Sequence, residues 1–490
     1  MAKDEKMKRI LLGGNGRGQV VMDAAMGNRH GMIAGATGTG KTVTLQVLAE
    51  AYSRLGVPVF MADAKGDLSG IAKAGLTNAE IERRLQAIGI ADFRFRENPT
   101  VFWDVFGRNG HPVRTTISDM GPLLLGHLLE LNETQTGVLY SCFRLADDQG
   151  LLLLDLKDLR ALLNWMADHA AELKSDYGHF SRASIGAIQR RLLVLEEQGA
   201  GDFFGEPAIQ LEDFCRSDFS GNGVISLLDA TELINKAPRL YAAFLLWLLS
   251  ELFETLPEVG DADKPKLVLF FDEAHLLFDQ APKALLDKVE QVVRLVRSKG
   301  VGIYFISQSP LDIPEDVLGQ LGLKIQHALR AFTPKDRKVI KAVAENFREN
   351  PTLETEKTIQ ELTTGEALVS VLNRDGSPSP VERVLMCPPG SRIGPLSEME
   401  RKEHIQRSPY HGRYEQAVDR ESVYEILKNK AERMVAVAER QDIGSSYGRR
   451  GRNRQSVGEA MLKSAARSIG SQLGRQIIRG LLGSLLGGRR

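Results

Sequence analysis

Apolar residues recur along this chain in two alternating rhythms, and the alternation predicts a sheet flanked by helices. Met32-Ile33-Ala34 is a short apolar run that stops at Gly35, and Val43, Leu45, Val47, Leu48 and Tyr52 then repeat at helical spacing. A second apolar run, Val57 to Met61, follows and ends near Asp63. Strand, helix and strand in this order predict a parallel βαβ unit with a right-handed crossover. From Ile117 to Glu197 β-branched runs almost disappear, and helices are expected over Leu123 to Leu131, Thr134 to Leu145, Leu156 to Leu173 and Ser184 to Glu197. Strand-like runs return at Val224 to Leu228, Leu267 to Phe271 and Gly302 to Ile306, with helical segments between them, and two more are expected over Gly322 to Leu329 and Gly365 to Leu372. The fold class expected is therefore α/β, with a mostly parallel, doubly wound sheet and a helical insertion.

These rhythms divide the chain into a first core part over 1–70, a mainly helical insertion over 71–220 and a second core part over 221–390. A helical region over 391–443 follows, with a polar helix from Glu398 to Glu439, and a tail occupies 444–490. The longest apolar stretch, Leu240 to Phe253, is about 14 residues and contains Glu251, which suits a buried core helix better than a membrane span. The N-terminus lacks the apolar h-region of a signal peptide, and Cys142, Cys215 and Cys387 form no ligand pair or even disulfide set. A soluble, cytoplasmic protein with reduced thiols is expected.

Charge changes this picture only at one end. Lys+Arg and Asp+Glu both number 63, yet from Gln441 to Arg490 ten basic residues face two acidic ones. After a Gly/Ser/Arg stretch, Gly444 to Gln455, the residues Leu462, Ala466, Ile469, Leu473, Ile477, Leu481 and Leu485 recur every three or four positions, beside Lys463, Arg467, Arg475 and Arg479. The tail thus encodes a basic amphipathic helix.

Gly35-Ala36-Thr37-Gly38-Thr39-Gly40-Lys41-Thr42 satisfies the phosphate-loop pattern GxxxxGK[ST] between an expected strand and an expected helix. The glycines let consecutive N–H groups face phosphates at a helix N-terminus. Lys41 is then the candidate contact to the β- and γ-phosphates of ATP, and the Thr42 hydroxyl a candidate Mg²⁺ ligand. Leu267 to Phe271 delivers Asp272 and Glu273 to a strand end. There Asp272 is the second metal-site candidate and Glu273 the candidate general base. Gln308, at the tip of the next strand, is placed to sense the γ-phosphate or orient water. Asp63 points to the same edge, as a nucleotide-site residue or a turn former. His275 continues an Asp-Glu-Ala-His string and either reports nucleotide state or caps a helix.

Several segments together carry a family resemblance. They are Arg29-His30-Gly31 before the phosphate loop, Asp63 to Asp67, Leu131 to Gln135, Phe271 to His275, Arg297-Ser298-Lys299-Gly300, and Ser307-Gln308-Ser309-Pro310. Over about residues 10 to 390 the chain resembles the HerA-FtsK superfamily of ring-forming ATPases, especially bacterial HerA-like proteins of the YjgR type. The resemblance implies a RecA-like P-loop NTPase core, a homo-oligomer, expected to be a hexamer, and ATP hydrolysis coupled to translocation along DNA or its unwinding. It also implies an arginine supplied to a neighbour's γ-phosphate, for which Arg297 matches the family segment and Arg330 is a second candidate. The β-barrel that archaeal HerA proteins carry ahead of this core is not expected here, because the phosphate loop starts at Gly35. The tail suits a nucleic-acid contact, a helix packed on the ring, or recruitment to a membrane surface or partner protein. The last use would make the chain a membrane-associated or protein-remodelling ATPase instead.

Overall fold

The apolar runs assemble into one twelve-stranded sheet in a computed structural model that describes residues 9–260, 262–278, 283–430 and 432–433. The strands are β1 (Arg9–Gly14), β2 (Gln19–Asp23), β3 (Gly31–Ala34), β4 (Val59–Asp63), β5 (Thr100–Asp104), β6 (His111–Pro112), β7 (Ile225–Asp229), β8 (Leu267–Phe271), β9 (Val301–Ser307), β10 (Leu323–Gln326), β11 (Glu366–Ser370) and β12 (Glu382–Met386). Their order is β2-β1-β12-β11-β10-β3-β9-β8-β4-β7-β5-β6. From β10 to β6 every neighbouring pair is parallel, whereas β11, β12, β1 and β2 pair antiparallel at the other end.

The central strands are buried at every position, as a parallel sheet covered on both faces requires. One face of β4 places Val59 and Met61 in a cluster with Leu45, Leu48 and Tyr52 of the Lys41–Arg54 helix. The other face turns Phe60 toward Phe244, at 6.4 Å between ring centroids, on the Pro238–Thr255 helix. That helix is apolar nearly all round because it is buried nearly all round. It is the stretch expected to be a core helix, and no helix among the described residues is long and apolar enough to cross a membrane.

Three expectations need correction. The stretch 71–220 is not one helical insertion, because Thr100–Asp104 is a fully buried strand beside β7. Among the described residues the helical unit is narrower, Thr115–Glu206 together with the segment that follows Gln416, while the residues up to Arg114 and Pro207–Gln416 form the sheet-bearing unit. Within the helical unit, the helix expected from Leu156 to Leu173 is broken at His169 into Leu156–Asp168 and Ala170–Tyr177. The polar helix expected from Glu398 to Glu439 is interrupted: one helix ends at Gln406, helix resumes over 423–430, and 434–439 lie outside the described residues. Pro409 lacks the N–H a helix needs, and Tyr410 and Tyr414 instead bury their rings against Trp103, at 5.2 and 5.6 Å. The tail and its expected amphipathic helix lie outside the described residues.

In the helical unit, buried Asp158 accepts hydrogen bonds from Leu154 N, Ser422 Oγ and Tyr424 N, tying the later segment to the helices. Asn132 and Gln135, quoted above for the family resemblance, form a reciprocal capping box that starts the Glu133–Gln149 helix.

Candidate functional site: a phosphate loop facing an acidic strand edge

β3 ends at Ala34, and the loop that follows turns on Gly35 (φ 149°), Gly38 (φ 77°) and Gly40 (φ 114°) before the helix begins at Lys41. A side chain at Gly35 would place its Cβ 2.6 Å from that of His327, so the glycine is required by space as well as by φ. Backbone bonds tie the loop to its neighbours: His327 N to Ala34 O at 2.7 Å, Ala36 N to Ala328 O at 3.0 Å, and Gly365 N to Thr39 O at 3.0 Å. His327 holds the assembly from inside, with Nδ1 2.9 Å from Glu366 O and Nε2 3.0 Å from Thr44 Oγ1. A carbonyl only accepts, so Nδ1 carries the proton and Nε2 accepts from the threonine. Burial pushes this imidazole down to about 4, and it is neutral at pH 7.

The buried Lys41 ammonium donates to Gly35 O at 2.5 Å and Ala36 O at 3.1 Å. Burial, then the charge of Lys65, lowers its pKa, while Glu273 and Asp272 pull the other way. Those couplings bring the lysine of the loop and the acids at the end of β8 into one electrostatic cluster.

Four adjacent strands, β8, β4, β7 and β5, end at or run directly into an aspartate: Asp272, Asp63, Asp229 and Asp104. Asp63 accepts from Lys65 N and Gly66 N through Oδ1 and from Leu68 N through Oδ2. Asp104 accepts from the N–H groups of Phe106, Arg108 and Asn109. Asp229 accepts from Thr231 N and pairs with Arg401. All three spend their oxygens on their own loops or on a side chain, so Asp63 has the geometry of a turn former. Asp272 differs: of its carboxylate, Oδ1 accepts from Glu273 N at 3.0 Å, and its carbonyl accepts from Tyr241 Oη at 3.0 Å. Burial pushes Asp272 up to about 6, and the charge of Glu273 adds to this against that of Lys65. An added cation at this edge would restore the ionised form.

Glu273 stands at φ 48°, a left-handed conformation costly for a residue with a side chain. Its Oε1 lies 2.9 Å from Lys65 Nζ. Its Oε2 is buried without a hydrogen bond among the described residues, 3.4 Å from His275 Nδ1. Burial alone would raise this carboxyl, but the bond and charge of Lys65 override it and hold the group below the usual glutamate range. Thr42 hydrogen-bonds Asp67, so the loop after β4 touches the phosphate loop as well.

Gln308 is exposed and follows β9, whose last residue Ser307 is in register with Ala34 of β3. It therefore shares the edge with Lys41 and Glu273. Arg330 is on this edge too, beyond β10, but its guanidinium donates to Gln360 O and to Leu362 O at the end of the Thr355–Glu361 helix. Arg297 is not on this edge. It precedes β9 and is charge-coupled to His30, which precedes β3, so it stands where the parallel strands begin. The strands separate the two edges by roughly 20 Å. Arg297 and its own Lys41 are thus not brought together.

The family profile described as "Helicase HerA-like C-terminal" matches residues 9–490. This chain belongs to the HerA-like helicase C-terminal family. It is 21% identical over 355 residues to the DNA double-strand break repair helicase HerA of Sulfolobus acidocaldarius, covering 70% of this chain and 62% of that protein. A second relative, the probable helicase MJECL08 of Methanocaldococcus jannaschii, is 32% identical over 125 residues, or 25% of this chain and 22% of that one. The HerA-like chain therefore spans under two thirds of the length of either curated relative. Among solved structures, the plasmid coupling protein TrwB with ADP and Mg²⁺ superposes at a TM-score of 0.51 and 14% identity, over 86% of this chain and 94% of TrwB. TrwB with the ATP analogue ADPNP gives 0.51 and 15%, over 80% and 93%. The fold is that of a RecA-like P-loop NTPase.

Lys65, Asp67 and His327 were not singled out by sequence. Lys65 and Asp67 did lie inside a quoted segment, two and four residues beyond a strand-end aspartate. His327 had no signal, since only the pairing of β10 with β3 brings it to the phosphate loop.

Proposed function

We propose that this HerA-like chain is an ATPase that uses Mg²⁺-ATP and works as a ring-forming DNA motor. The observation that carries the ATPase reading is the charge coupling of Lys41, beyond β3, to Asp272 and Glu273, beyond β8, at the same edge of the sheet with β9 between them. In this reading the phosphate-loop N–H groups grip the phosphates and Lys41 exchanges its two carbonyl partners for the β- and γ-oxygens. Thr42 and Asp272 would hold a magnesium ion, which would supply neutralisation of charge on the phosphates; such ions usually take one or two carboxylates plus substrate oxygens. Glu273 takes the proton of the attacking water, and its buried Oε2, which makes no hydrogen bond among the described residues, supports that role. Gln308 orients the water or reads the γ-phosphate.

Arg297 suits only a role in trans, because its edge is remote from its own phosphate loop. Arg330 would first have to leave the Gln360 and Leu362 carbonyls. The DNA substrate is supported by family membership and by the HerA relative, a DNA double-strand break repair helicase, and the ring by the superfamily resemblance. The test is steady-state ATP hydrolysis with duplex DNA, single-stranded DNA or none, alongside the assembly mass. Stimulation by a DNA form in an oligomer is expected. A DNA-indifferent rate would remove the DNA claim and leave the ATPase claim standing.

A further inference from the structure

The nucleotide site holds a cation that the mechanism above does not use. Lys65 Nζ lies 2.9 Å from Glu273 Oε1, and the side chain of Lys65 is 38% exposed against 14% for Glu273. Both backbones are braced. Asp63 gathers the N–H groups of Lys65, Gly66 and Leu68, and Gly66 turns at φ 75°. Glu273 is set by its left-handed turn and by its N–H bond to Asp272. The flexible part of the pair is the four-carbon stem of Lys65. Lys41 and Lys65 repel one another while sharing the same two acids. A triphosphate brought to the loop adds negative charge inside this cluster, and Lys65 then has two competing acceptors.

We propose that Lys65 senses the terminal phosphate: it holds the Glu273 carboxylate while no triphosphate is bound, and moves to the γ-phosphate when one enters, freeing Glu273 for its water. This rests on the ATPase reading and deepens it. A diphosphate has no γ-oxygens to compete with Glu273, so with ADP the lysine stays on the carboxylate. The base is thereby released only when there is a phosphoryl group to attack.

The experiment is equilibrium binding of fluorescent ADP and of a fluorescent non-hydrolysable ATP analogue to the full chain with Mg²⁺, which reads affinity without turnover. Lys65→Gln is expected to reduce the preference for triphosphate over diphosphate about tenfold or more, as loss of a charge-assisted phosphate contact should. ADP affinity should stay within about threefold, and Lys65→Arg should restore most of the preference. Glu273→Gln removes the competing acceptor, so it should tighten the ATP analogue, and the gain should vanish in the double variant. An unchanged preference in Lys65→Gln, or equal weakening of both nucleotides, would overturn the proposal; Lys65→Met provides the same comparison should the glutamine variant not fold. If the wild-type chain binds neither nucleotide, the ATPase reading fails and takes the proposal with it.

Discussion

Asp272 and Glu273 are adjacent in sequence, yet their surroundings move their protons in opposite directions. Burial dominates at Asp272 and raises it to about 6, whereas Lys65 outweighs burial at Glu273 and keeps it ionised. This separation suits a pair in which one acid waits for a cation and the other is a base. His327 gives a prediction of a different kind. Its folded pKa is about 4 against 6.5 unfolded, so between those values the unfolded chain binds more protons. The contribution of His327 is fully present above about pH 6.5 and is lost as pH falls through 4, worth on the order of 3 kcal/mol. Denaturant unfolding from pH 4 to 7 should show a shallower pH dependence in His327→Gln than in the wild type. Equal slopes would mean that the imidazole is not held neutral by the fold.

At the scale of elements, the strands legible in sequence were those buried on both faces. β3, β8 and β9 read as apolar runs, and β7 does so but for Ser226, because helices cover them above and below. β1 and β2 were missed because Gly13-Gly14 and mixed burial mask their rhythm. β5 was missed because its aromatic run lies in a charged stretch that otherwise reads as loop or helix. The phosphate loop was fully legible, since its glycines answer to backbone geometry alone, whereas the role of Asp63 became visible only with its three N–H donors. The loop makes a graded prediction. Gly38→Ala meets nothing within 4 Å and pays only for φ 77°, about 1–2 kcal/mol. Gly35→Ala adds a 2.6 Å approach to His327 and should cost more, with loss of nucleotide binding. Thermal unfolding of the two variants should show the larger drop for Gly35→Ala; the reverse order would contradict the docking of the loop on His327.

For the whole molecule, the placement of Arg297 at the edge opposite the phosphate loop makes a self-contained site unworkable if that arginine acts on a γ-phosphate. A trans arginine is worth about 10³–10⁵ in turnover. Subunits carrying Lys41→Ala have an inactive site but an intact arginine, and those carrying Arg297→Ala have the converse. Each alone should be nearly inactive, and mixing them should restore part of the hydrolysis rate. No recovery in mixed assemblies would remove Arg297 from the proposed ring mechanism.

The proposed role of the Glu273 carboxylate is to drive hydrolysis of a nucleotide gripped by the Gly35 to Thr42 loop. Its most direct measurement pairs phosphate release with ATP binding in the wild type and in Glu273→Gln. The prediction is that the variant binds Mg²⁺-ATP at least as tightly and hydrolyses it about 10²–10⁴-fold more slowly. A Glu273→Gln protein that turns over ATP at the wild-type rate would contradict it.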